Sequence, residues 1–122
     1  MNRIDILVPE RSIVIAKDLV EKNLAGINKS NVFGLFGVGS FWFPRQRHNP
    51  QDIDLAVFAQ NDSQFTDEDR LKIAAPLEST FGLNVQTHIF TPYTPMVRHE
   101  LAKAKLMLEE SLSLYGQKPH WL

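Results

Sequence analysis

Between Gly37 and Phe58 the sequence reads GVGSFWFPRQRHNPQDIDLAVF, with two carboxylates, Asp52 and Asp54, at the head of an apolar run. Side chains on an extended strand alternate between faces. Asp52 and Asp54 therefore point the same way, ~6.6 Å apart, and Ile53, Leu55 and Val57 serve the opposite face. Two like charges at that spacing repel unless a cation stands between them. Mg²⁺ is the usual solution, because it takes one or two protein carboxylates and completes its shell with water and substrate phosphates. The pair alone has a plainer alternative, since aspartate at a strand entrance is often a solvated turn residue. Upstream, Gly37, Gly39 and Ser40 close a buried strand. Glycine lets backbone approach a ligand closely, and exposed amides beside a serine hydroxyl can hold phosphate oxygens. The turn matches neither the dinucleotide fingerprint nor the Walker loop, because no lysine follows and no long helix opens. Turn and acid pair together suggest a metal–nucleotide site.

Other chemistry-bearing residues have two readings each. Arg45, Arg47 and His48 lie in a loop from Phe41 to Gln51, between the turn and the acid pair. Guanidinium matches phosphate, so they are candidates for a triphosphate or an RNA-like substrate; otherwise they form a solvated loop. Phe41, Trp42 and Phe43 could stack a base or pack the sheet edge. Arg98, Lys103 and Lys105 offer charge to a phosphate, or simply form a solvated helix face. His120 and Trp121 fit an anchored terminus. His99 and Glu100 are adjacent and diverge on a helix, and no HExxH spacing occurs.

The positioning elements follow from periodicity. Ser12 to Leu24 reads as a helix, with Ile13, Ala16, Val20 and Leu24 on one face and Gly26 and Asn28 as stops. Val32 to Val38 and Asp52 to Ala59 read as strands. Thr66-Asp67-Glu68-Asp69 resembles a capping box, with acids where the macrodipole favours them, opening a helix to about Thr80 that Gly82 ends. Leu83 to Phe90 has strand character. Pro92 and Pro95 precede a last helix from Met96 to about Ser113, with Val97, Leu101, Ala104 and Leu108 on one face. The order helix, strand, strand, helix, strand, helix predicts an α/β (α+β) domain with a small mixed sheet flanked by helices. At 122 residues, a single domain over 1–122 is expected. The absence of cysteine excludes disulfides and thiolate metal sites. No apolar run approaches a membrane span and no signal-peptide pattern opens the chain, so a cytoplasmic protein without a membrane partner is expected. A formal charge of −1 argues against a surface built to wrap duplex nucleic acid.

Gly39-Ser40, eleven residues, then Asp52-Ile53-Asp54-Leu55 resembles the signature of the polymerase-beta-type nucleotidyltransferases, in particular the minimal nucleotidyltransferases. The likeness extends to GLNVQTHIFT, Gly82 to Thr91, at that family's third strand, and to LEESLSLYG, Leu108 to Gly116, similar to the close of its last helix. The resemblance implies transfer of a nucleotide, usually AMP from Mg–ATP. It implies that Gly39 and Ser40 bind the triphosphate and that Asp52 and Asp54 bind two Mg²⁺ ions. In a two-metal site one cation activates the attacking oxygen while the other neutralises the leaving pyrophosphate. It further implies a helical HEPN-type partner, toward which such proteins act as antitoxins, some by attaching AMP to the partner. Homo- and hetero-oligomers are both compatible with that.

The sequence departs from the family at one point. Active members carry a third carboxylate on the third strand, where this chain has Val85-Gln86-Thr87-His88. By position the acid would be Gln86, which cannot deprotonate a nucleophile. His88 on the same face could accept a proton or ligate a metal, or be a partly exposed sheet histidine. Three readings stay open: an adenylyltransferase-type enzyme acting on a macromolecular acceptor; a nucleotide- or partner-binding module whose chemistry is impaired at Gln86; and an unrelated domain with a coincidental motif.

Overall fold

The computed structural model describes residues 9–27, 32–44, 50–61 and 65–122. Seven elements follow one another: α1 (Pro9–Asn23), β1 (Val32–Val38), β2 (Asp52–Ala59), α2 (Asp67–Phe81), β3 (Asn84–Phe90), α3 (Arg98–Met107) and β4 (Ser111–Gly116). Short 3-10 turns sit at Leu24–Gly26 and Thr94–Met96. The strands form one mixed sheet in the order β3-β2-β1-β4. Pairs β1/β2 and β1/β4 are antiparallel, and β2/β3 is parallel because α2 carries the chain back across the sheet. The α+β architecture is the expected one.

Period-2 alternation on β2 sorts its side chains between two apolar layers. Ile53, Leu55 and Val57 are fully buried in the layer made with α1 (Ala16, Val20) and α2 (Ile73, Ala74, Leu77, Phe81). Ala56 and Phe58 enter the other layer, with Phe36, Val38, Phe90, Ala104 and Leu108, and Trp121 packs against it. The α2 start is the predicted capping box: Asp69 N–H donates to Thr66 Oγ1 and Thr66 N–H to Asp69 Oδ2, each at 3.2 Å. Gly82 ends the helix in the left-handed conformation.

The last third of the chain departs from the expected single helix, Met96 to Ser113. Helix α3 stops at Met107, and the run LEESLSLYG, expected to close it, forms a turn and then edge strand β4. The spacing of Leu108 and Leu112 suits a helix, but Ser111 to Tyr115 alternates polar and apolar. That places Leu112 and Leu114 on the layer of α1 and α2. Glu109 and Glu110 would also stand at the negative end of the macrodipole, which disfavours continuation. Instead the Lys118 ammonium and the Ser111 hydroxyl donate to the carbonyl of Leu108, 3.2 and 3.3 Å away. Of the predicted α3 face, Ala104 and Leu108 are buried, while Val97 is exposed.

Candidate functional site

The site is built at the corner where β1 ends and β2 begins. Val38 pairs with Asp54 in antiparallel register, so the turn that leaves β1 stands beside the acid pair. Gly39 has φ 84°, a conformation that L side chains rarely adopt. A Cβ there would fall 3.1 Å from Asp54 Oδ2, so a larger residue would crowd this carboxylate oxygen. The turn then tightens, with Phe43 N–H donating to the Gly39 carbonyl at 3.0 Å. Gly39 is exposed and Ser40 half-buried.

Asp52 and Asp54 are half-buried on one face of β2, with Ile53 and Leu55 buried on the other, as the alternation predicts. The parallel register sets Asn84 beside Asp52, Gln86 beside Asp54 and His88 beside Ala56. Asn84 and Gln86 are exposed. His88 reaches back toward the site: its Nε2 lies 3.3 Å from Asp54 Oδ1. The two side chains are 23% and 29% exposed, close enough to the surface for a ligand to reach both. Asp54 thus has one oxygen against the glycine turn and the other against an imidazole. The partly exposed sheet histidine of the sequence reading is partly exposed indeed, but it belongs to the acid pair's surroundings.

An open cleft of about 360 Å³ lies over this corner, lined by Val38, Gly39, Asp54, His88, Lys103, Leu106 and Met107. Lys103 therefore faces the cleft from α3, whereas Arg98 and Lys105 do not line it. Arg45, Arg47 and His48 lie outside the described residues. Phe41 and Trp42 are buried in the layer of α1 and α2 and are not available to stack a base. Trp42 instead lies across Gly37, where a Cβ would meet its ring at 2.5 Å, and its indole N–H donates to the Asp54 carbonyl at 3.0 Å. One face of the sheet holds the Asp54 main chain while the other presents its carboxylate. This positioning role of Trp42 escaped the sequence reading. The signal was the small residue at Gly37 followed by a large aromatic one turn later.

A larger cavity, about 700 Å³, opens at the opposite end of the sheet between Phe33, Gln60, Pro92 and the segment from Gln117 to Trp121. Among the described residues that line it there is no carboxylate, whereas the smaller cleft has Asp54, so size and charge point to different places. Trp121 anchors the terminus by an edge contact with Phe58, ring centroids 6.0 Å apart.

The chemistry of the donor set fits a hard divalent cation beside phosphate: two half-exposed carboxylates on one face, next to a glycine turn. Among the described residues no group of three or more histidines and acids is gathered closely enough to hold a metal by itself. Water and phosphate would supply the remaining ligands, as is usual for Mg²⁺. Among those residues, no helix is long and apolar enough to cross a membrane.

No protein-family model matches the sequence, and no curated protein matches it significantly. Solved structures do. A toxin–antitoxin crystal structure with AMP-PNP aligns over 84% of this chain and 74% of its own, at 20% identity and a TM-score of 0.52. The toxin–antitoxin MntA-HpeT, as a double mutant, aligns over the same shares at 18% identity and a TM-score of 0.52. At such identity the likeness is one of fold. The chain shares the α+β fold of these two toxin–antitoxin structures.

Proposed function

We propose that this chain binds a nucleoside triphosphate, ATP by preference, with divalent metal at the Gly39–Asp54 corner. It then transfers the nucleoside monophosphate to a macromolecular acceptor, as the antitoxin-type partner of a HEPN-type toxin. The observation that supports this is the closeness of turn and acid, a Cβ on Gly39 falling 3.1 Å from Asp54 Oδ2, which sets a glycine turn suited to phosphate beside a carboxylate suited to metal. The amides and hydroxyl of Gly39 and Ser40 receive phosphate oxygens. Asp52 and Asp54 hold the cation, and Lys103 adds positive charge from α3. Arg45 and Arg47 are assigned to the same phosphates. Bound metal supplies charge neutralisation of the triphosphate and activation of the attacking oxygen. The acceptor hydroxyl bonds to the α-phosphorus, the bond to the bridging oxygen breaks, and pyrophosphate leaves. With Gln86 neutral, β3 offers no carboxylate beside the pair to take the acceptor's proton, which passes to solvent.

Two features of the structural neighbours support this reading. One was crystallised with an ATP analogue, and the other pair's mutant exchanges two aspartates, two positions apart, for glutamate. Both are toxin–antitoxin pairs. A protein acceptor is favoured over RNA on that ground.

Incubation with α-labelled ATP and the partner tests the proposal. Label transferred to the partner and lost with Asp54→Asn is the expected result; no binding of ATP with or without Mg²⁺ would refute it. The register of Gln86 beside Asp54 favours a second reading, a nucleotide-binding module without turnover. Binding without transfer selects that reading, and Gln86→Asp should then raise transfer from near zero.

A further inference from the structure

We infer that His88 Nε2 and Asp54 Oδ1 form a mixed nitrogen–oxygen seat for the nucleotide-bound metal, which makes this site prefer a first-row transition ion such as Mn²⁺ over Mg²⁺. The inference rests on the nucleotide–metal reading above and concerns which ion that site takes. The two atoms stand 3.3 Å apart. A divalent ion holding both at about 2.1 Å would set them roughly 3.0 Å apart at a right angle and roughly 3.4 Å apart at the tetrahedral angle. The observed separation lies between those limits. Both side chains line the same open cleft, next to the turn assigned to the phosphates, so an ion can enter without rearrangement of the sheet.

The neighbouring positions leave the imidazole as the available donor. On β3 the exposed residues beside the acid pair are Asn84 and Gln86, neutral amides that compete poorly with water for Mg²⁺. The Gly39 turn bounds the other oxygen of Asp54. An ion held by Asp52 and by Asp54 Oδ1 therefore meets His88 Nε2 as its donor from β3. Imidazole is a good ligand for transition ions and a poor one for Mg²⁺, whose sites are built from oxygen. With Gln86 neutral beside Asp54, the imidazole two residues further along the same face thus changes the metal rather than abolishing the site.

Pulsed EPR of the full chain with Mn²⁺ and a non-hydrolysable ATP analogue tests this directly. The expected result is a nitrogen coupling that changes when the histidines carry ¹⁵N, which separates it from adenine nitrogen, and that vanishes in His88→Gln. Calorimetry in parallel should give tighter nucleotide binding with Mn²⁺ than with Mg²⁺ by about tenfold, falling to near parity in His88→Asp. Nucleotide and Mn²⁺ bound with no histidine coupling overturns the seat and leaves the nucleotide site standing. Failure of nucleotide to bind with either ion overturns both.

Discussion

The two faces of the sheet treat the same strand differently. On the side of α1 and α2, Ile53, Leu55 and Val57 are all fully buried, and the layer is sealed along the length of β2. On the side of α3, Phe58 and Ala56 are buried, but the cover stops there; Asp54 stands half-exposed in the lining of a cleft, and Asp52, two residues before it, is half-exposed too. One face is closed throughout, and the other grades from core to half-exposed carboxylate within four residues. The strand can place two carboxylates at a fixed spacing because its opposite face anchors it. Burial of Ile53 between the two aspartates and of Leu55 just after them, rather than any property of the aspartates, makes their geometry rigid.

Substitutions should separate the two faces. The largest expected effect is Leu55→Ala, which removes a fully buried side chain and should cost about 2–5 kcal/mol in denaturant unfolding. Asp54→Asn should leave stability within about 1 kcal/mol while abolishing metal-dependent nucleotide binding. If both variants unfold alike, the division of labour between the faces is wrong. Next is Gly37→Ala, where the new methyl would strike the Trp42 ring. A cost of about 1–3 kcal/mol is expected, with nucleotide affinity falling as Asp54 loses its backbone support.

Trp42→Phe keeps most of the packing but removes the bond to the Asp54 carbonyl. The expected cost is about 1 kcal/mol in stability, together with weaker nucleotide binding in calorimetry. The smallest effect serves as a control. Thr66→Ala loses the α2 cap, on the sealed side, for about 1 kcal/mol, and nucleotide affinity should not move. A change in affinity there would mean that general loosening of the fold, not the corner, governs binding.

These contrasts also explain what could be read in advance. β1 and β2 were legible to the residue, because an apolar run bounded by Gly39-Ser40 on one side and Asp52 on the other admits one reading. The α2 start was legible because Thr66 and Asp69 satisfy each other locally, with no need of the rest of the chain. β4 was not, because Leu108 and Leu112 are spaced for a helix while Leu112 and Leu114 are spaced for a strand. The layer beneath α1 and α2, a tertiary partner, decides between them. The approach of His88 to Asp54 was hidden for a related reason. The strand face of each residue was predictable, but the parallel register that sets His88 beside Ala56, within reach of Asp54, exists only once β2 and β3 pair. Trp42 shows the limit from the other side: its burial was a stated alternative, but its hold on the Asp54 carbonyl depends on the turn at Gly39 folding it back over Gly37.

The most direct test is the broadening of backbone amide signals by Mn²⁺–ATP, which reports distance from the bound ion residue by residue. Strongest broadening at Gly39, Ser40, Asp54 and His88, with Lys103 next and with Phe33 and Trp121 at the far cavity spared, is the predicted result. Broadening centred on Phe33 and Trp121, or spread evenly over the chain, would contradict the assignment of the nucleotide to the corner between β1 and β2.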